Sequence, residues 1–194
     1  MFDGKTLNGW KKTDFHGGGE VTVKDGSIAM AAGRSMTRIT STRGDLPRAD
    51  FELTYQAMKL DGTDFFAAAT FPVGPSYLTF VNGGWGGSIT GLSSLDGMDA
   101  SENETSHSVR YKDKTWYRFR VRVTGKMVRC WIDEKEIVAV KHQDRRVSTR
   151  IESRRSQPLG FATWETAGAI RDIKLRTLTP AEIAETDRFE EDEP

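Results

Sequence analysis

Apolar and polar positions alternate with a period of two along most of this chain, in runs punctuated by Gly, Asp and Asn turn signals. The alternation predicts strands over 20–24, 27–31, 36–41, 50–60, 64–71, 76–82, 88–92, 116–124, 127–132, 136–141, 159–164 and 169–177. A dozen short strands with no helix between them predict an all-β domain of two packed antiparallel sheets. A helical signal appears only at the end. There Thr179-Pro180-Ala181-Glu182 matches a capping box with Pro in the first helical position, so a short helix should follow, with frayed charged residues beyond Thr186. The domain reading is a single β-sandwich over 1–178 and a short helix with an acidic tail over 179–194.

The sharpest register prediction is the hairpin at Gly125-Lys126. A two-residue loop sets Val123 opposite Val128, Val121 opposite Cys130 and Phe119 opposite Ile132, which places all six on the core face. The other face then carries Arg122 against Arg129 and Arg120 against Trp131. An Arg facing an Arg demands a carboxylate or another anion nearby. Charge along the chain suggests an internal source. Residues 110–155 hold fifteen Lys/Arg against six Asp/Glu, whereas 179–194 hold seven acids and one Arg. That basic face predicts an anionic partner, either the acidic tail or a sulfated or uronic polysaccharide.

Length and composition exclude several classes. The 194 residues suit one domain with a real core. A formal net charge of zero, and basic stripes without the interleaved aromatics of a recognisable RNA- or DNA-binding fold, argue against nucleic acid. No apolar run approaches the roughly 20 residues of a membrane span. The single Cys130 excludes a disulfide framework and any Cys-rich metal site, and its strand face marks it as core. Walker A, GxGxxG, HExxH and G-x-S-x-G signatures are absent.

Three segments carry candidate chemistry. In Gly83-Gly84-Trp85-Gly86-Gly87 the glycines strip away side chains that would shield the indole. The segment reads either as a tight turn with Trp85 in the core, or as an aromatic platform for the C–H face of a sugar ring. Trp164 and Tyr77 are further platform candidates. Asp96, Asp99, Ser101, Glu102, Asn103 and Glu104 crowd oxygen-bearing side chains into nine residues, either as a solvated loop or as a site. The spacing fails the EF-hand pattern, yet the donor set suits a hard divalent cation, calcium or manganese. Glu102 and Glu104, two apart, point the same way on an extended segment and form a conceivable acid/base pair. Arg150 and Glu152 alternate onto one face if extended, as a surface ion pair or as part of a site.

The opening Phe2-Asp3-Gly4-Lys5-Thr6-Leu7-Asn8-Gly9-Trp10 reads as a hairpin or loop. It resembles the opening motif of the bacterial 3-keto-disaccharide hydrolase family, once a domain of unknown function. The resemblance continues through Phe71-Pro72-Val73-Gly74, the glycine-flanked Trp85, Asp99 to Thr105, Trp116-Tyr117, Leu159 to Trp164 and Ile170-Arg171-Asp172-Ile173. It implies a concanavalin-like β-sandwich of jelly-roll type whose concave sheet holds carbohydrate, and a hydrolase or lyase acting on glycosides oxidised to a ketone at carbon 3. The alternative is a non-catalytic carbohydrate-binding module.

The ketone acidifies the hydrogen on carbon 2, so the chemistry needs a base, an enolate stabiliser and an acid. On this reading Glu102 or Glu104 is the base, Arg150 or a bound metal the stabiliser, and His107 or Asp99 the acid. Trp85, Trp164, Tyr77, Asn103 and Asp99 bind the sugar. Many family members carry an Arg at the end of the strand corresponding to 64–71, a Glu and a Gln along the next, and a Gln near Ala162 or Thr163. This chain has Ala67-Ala68-Ala69, Phe71, Leu78, Thr79 and Phe80 instead, which implies a distinct subgroup. Family members usually carry a signal peptide and Met1 here is followed at once by the opening motif. The chain is then either a trimmed periplasmic or secreted domain or a cytoplasmic protein.

Overall fold

A computed structural model describes residues 1–188. Fourteen strands form two seven-stranded antiparallel sheets stacked as a sandwich. The first sheet runs β1 (Trp10–Lys12), β4 (Met36–Ser41), β13 (Gly160–Trp164), β6 (Ala68–Val73), β7 (Ser76–Gly83), β8 (Ile89–Ser93) and β9 (His107–Ser108). The second runs β12 (Lys135–Lys141), β11 (Met127–Ile132), β10 (Trp116–Val123), β5 (Phe51–Asp61), β14 (Ala167–Thr177), β3 (Ser27–Met30) and β2 (Val21–Lys24). Between them lies one core. Ile39, Phe161, Ala69, Phe80 and Leu92 face inward from the first sheet, and Leu53, Tyr55, Phe119, Val121 and Cys130 from the second. Tyr55 stacks on Phe119 with centroids 5.0 Å apart and meets Phe161 edge-on at 4.8 Å. Burial pushes the Cys130 thiol well above its ordinary range.

The predicted hairpin register holds pair for pair, including Arg122 against Arg129. Arg122 Nε donates to Glu52 Oε2 at 2.7 Å and its Nη1 to Glu185 at 3.0 Å, while Arg129 binds Glu136 at 3.0 Å and donates to the Thr186 carbonyl at 2.8 Å. The acidic C-terminal helix α2 (Pro180–Thr186) therefore supplies part of the counter-charge its own sheet face requires. Its capping box is formed as expected. Arg176, with the Thr179 cap, holds the Glu182 carboxyl at about 2. Frayed residues were expected beyond Thr186; of these, 189–194 lie outside the described residues.

Three expectations change. The strand expected over 64–71 is β6, Ala68–Val73. The buried Asn82 amide accepts from the Ala67 N–H at 3.1 Å and donates to its carbonyl at 3.0 Å, so a side chain takes the place of a strand partner at that residue. Arg150 and Glu152 are not extended. Residues Ile151–Ser156 form a 3-10 helix, and its first turn, not strand alternation, brings the two together. Two short strands, β1 and β9, also go beyond the alternation pattern, too brief to show a period.

Candidate functional site

The strap from β12 to β13 crosses the outer face of the first sheet, because backbone and hydroxyl groups pin it there. Ser94 N–H donates to the Ser148 carbonyl at 2.7 Å, Ser76 Oγ to Val147 O at 2.7 Å and Thr40 Oγ1 to Arg155 O at 3.0 Å. Gly160 makes the crossing possible, since a Cβ there would meet the Ser156 carbonyl at 2.6 Å. The fully buried Arg38 fixes the far end: it donates to the Glu152 carbonyl at 2.7 Å and to Asp14 O at 3.2 Å.

Strap and sheet enclose a cleft of about 210 Å³. Its floor is the outward row of Ala68, Thr79, Val81 and Ser93 with Met36 and Trp164, and its walls carry Asp64, Phe65, Trp85, Arg150, Glu152 and Ser153. Trp85 is 42 % exposed, so the buried-core alternative does not hold. It stands on a single turn, α1 (Gly84–Gly87), in which Trp85 and Gly86 take left-handed angles (φ 49° and 84°). Asp64 clamps that turn: one carboxylate oxygen accepts from Phe65 N–H at 2.8 Å and the other from Gly86 N–H at 3.3 Å.

Arg150 and Glu152 form the charged group of the cleft. Arg150 Nε and Nη2 donate to the two Glu152 oxygens at 3.3 and 3.4 Å, and Nη1 pairs with Asp99, whose other oxygen accepts from Ser94 Oγ at 3.0 Å. Burial alone would raise the Glu152 pKa. The backbone N–H of Glu152 and the Arg150 guanidinium outweigh that and hold it below the ordinary 4.5. The cleft thus presents an ionised carboxylate beside a fixed cation, with Trp85 and Trp164 also in its lining.

Of the residues singled out from sequence, the fold brings Trp85, Trp164 and Arg150 to the cleft, with Asp99 behind Arg150. Glu102 and Glu104 are exposed and outside it. Glu102 accepts from Asp99 N–H at 3.3 Å, and Glu104 pairs with Arg145, which lowers its pKa. Asn103 is buried and structural, its amide donating to Leu92 and Met98 carbonyls. His107 is exposed on the edge strand β9. Tyr77 shares the outward face of β7 with Thr79 but is held by Arg48, 3.0 Å from its hydroxyl, and does not line the cleft. Asp96 and Glu104 are taken by Arg145 and Asp99 by Arg150; among the described residues no three His, Cys, Asp or Glu side chains converge to hold a metal ion. Asp64 is a cleft residue that sequence reasoning missed, and Glu152, open between a surface pair and part of a site, lies in the cleft wall. The Arg150-Ile151-Glu152 spacing was the available signal.

The fold has well-covered relatives among solved structures. Carbohydrate binding module CBM66 from Bacillus subtilis superposes with a TM-score of 0.60 at 12 % identity, over 91 % of this chain and 99 % of that one. Domain 4 of AbnA, a GH43 extracellular arabinanase from Geobacillus stearothermophilus solved with arabinotriose, gives 0.55 at 14 % identity over 92 % and 88 %. A glycosyl hydrolase family 16 protein from Mycobacterium smegmatis gives 0.55 at 12 % over 91 % and 96 %. No curated protein sequence matches the chain. Among the described residues no helix is long and apolar enough to cross a membrane. The sequence itself matches a family over residues 1–176, and with the opening motif, the sandwich and the cleft in place the chain belongs to the 3-keto-alpha-glucoside-1,2-lyase-like domains, the 3-keto-disaccharide hydrolase family.

Proposed function

We propose that the cleft binds a glycoside already oxidised to a ketone at carbon 3 and breaks its bond to the leaving group by elimination across carbons 1 and 2. The Glu152 carboxylate removes the proton from carbon 2. The C–H electron pair forms an enolate whose charge, on the carbon 3 oxygen, faces the Arg150 guanidinium. Return of that pair to carbon 2 forms the carbon 1–carbon 2 double bond and expels the oxygen on carbon 1, which takes up a proton. Water adding to the resulting enone at carbon 1 completes a net hydrolysis. The base is placed at Glu152 instead of Glu102 or Glu104 because the latter two are exposed and outside the cleft lining. Asp99 then positions Arg150 and is not the acid.

The observation that carries this reading is the Glu152–Arg150 pair opening into a cleft lined by Trp85 and Trp164. Its test is discrimination between substrates. The protein should cleave a 3-keto-α-glucoside and leave the unoxidised glucoside intact, since only the ketone makes the carbon 2 hydrogen acidic. A second reading, a carbohydrate-binding module without chemistry, is favoured by the exposed indole of Trp85 and by the fold shared with CBM66. Binding of both sugars with cleavage of neither would establish it.

A further inference from the structure

The outer face of the second sheet, on the side away from the cleft, carries basic side chains in rows that the strand register sets. Arg129, Arg122, Glu52 and Arg176 form one row, which Glu52 itself, Glu136 and the carboxylates of α2 neutralise. Two residues along, the next row is Trp131, Arg120, Thr54 and Lys174. Among the described residues no carboxylate pairs with either of its cations; the Arg120 guanidinium lies instead 4.1 Å from the centroid of the Trp131 ring. The row beyond is Arg118, Gln56 and Arg171, and Arg171 caps the Trp116 ring at 4.0 Å. Neighbours in a row stand roughly 4.8 Å apart, and successive rows roughly 6.8 Å.

A depression of about 280 Å³ opens on that last row, lined by Gln56, Trp116, Arg118, Asp133 and Glu134. Its donors are oriented. Arg171 Nε and Nη2 hold Gln56 Oε1 at 3.1 and 2.9 Å, which leaves the Gln56 NH₂ to donate. Arg118 meets Glu134 only at 3.4 Å with both side chains exposed, and Arg171 meets Asp172 at 3.8 Å; surface pairs of this kind contribute little and yield to a ligand anion. Acceptors stand beside these donors. Asp133 Oδ1 accepts from Arg118 N–H at 2.9 Å and leaves Oδ2 for another donor. A ring with one carboxylate and several hydroxyls matches so mixed a lining. An arginine caps each indole, and neither is among the exposed large apolar side chains. The face thus offers nucleobases no bare ring to stack on and a membrane no apolar anchor.

We infer that this depression is a second carbohydrate site, built for a uronic acid residue of an anionic glycan. The sugar carboxylate lies on the Arg118 guanidinium and the Gln56 amide, its hydroxyls donate to Asp133 and Glu134, and further carboxylates along the same glycan meet Arg120 and Lys174. The inference stands apart from the elimination reading, because no residue of the cleft takes part. Its test measures dissociation constants for trigalacturonic acid, its methyl ester and maltotriose. The proteins are the parent, an Arg118→Gln/Lys174→Gln double variant at two exposed positions, Arg120→Gln, and the cleft variant Trp85→Ala, each checked by melting.

Trigalacturonate should bind the parent about tenfold more tightly than the ester or maltotriose, as a charge-assisted bond to arginine predicts. Its affinity should fall severalfold as salt rises from about 0.05 to 0.2 M. The double variant should lose about tenfold and Arg120→Gln severalfold, so the single variant carries the test if the double one melts early. Trp85→Ala should bind like the parent. Equal binding of acid and ester, or parent-like binding by both basic-face variants, overturns the inference. Loss of trigalacturonate binding in Trp85→Ala would place the glycan in the cleft and overturn it too. So would equally tight binding of tripolyphosphate, which carries charge without a sugar's hydroxyls.

Discussion

Glu152→Gln is expected to lower turnover of a 3-keto-α-glucoside at least about 100-fold while leaving binding of the unoxidised glucoside close to that of the parent, because the amide keeps the shape and an acceptor for Arg150 but cannot take a proton. The pH profile provides a second readout. The folded pKa of Glu152 is lowered, so the base is ionised at neutral pH and stays so as the solution is acidified toward 4.5. Activity limited by this group should be flat through that interval and fall only as pH drops through the folded value. An acid limb centred near neutrality would assign the base to another group, and full activity in Glu152→Gln would remove Glu152 from the chemistry.

The second large effect concerns stability. Glu52 is buried and joins two arginines: Arg122 Nε at 2.7 Å and Arg176 Nε at 3.0 Å. Glu52→Ala leaves the largely buried Arg122 dependent on the helix carboxylates Glu182 and Glu185, at 3.7 and 3.0 Å. Breaking a buried pair costs about 3–5 kcal/mol. The surviving helix contacts place this variant near the lower end, about 3 kcal/mol, or a Tm lowered by roughly 6–12 °C for a domain of this size. Glu185→Gln removes only an exposed partner and should cost about 1 kcal/mol or less. Thermal melts of the two variants check the account; Glu52→Ala melting like the parent would mean that the ion network contributes nothing net.

Much of the fold was legible because strand alternation reports directly which face is buried. Eleven of the twelve expected strands fall within two residues of their observed bounds, and the Arg122–Arg129 opposition correctly demanded the counter-charge found at Glu52, Glu136 and α2. The exception, at 64–67, was not readable in that way. The Asn82 amide that satisfies Ala67 comes from 15 residues away, and local pattern carries no trace of such a pairing.

The candidate site was legible in part for the same reason. The glycine flanks signalled the exposure of Trp85 that the fold shows, a local effect. The density of acids at 96–104 was a local signal too, but arginines from 145–150 neutralise most of them, and that neutralisation is a tertiary fact. Glu152 reaches the cleft through a 3-10 turn pinned by Arg38, 114 residues earlier in the chain, so its environment could not be inferred from its own segment.

The most direct test of elimination at carbon 2 follows an isotope. A 3-keto-α-glucoside carrying deuterium on carbon 2 is incubated with the protein in ordinary water, and the released sugar is weighed by mass spectrometry. Proton abstraction by a solvent-accessible Glu152 predicts a product that has lost the deuterium, with loss and cleavage abolished together in Glu152→Gln. A cleaved product that retains its deuterium would mean that the bond at carbon 1 breaks without touching carbon 2, and would contradict the mechanism.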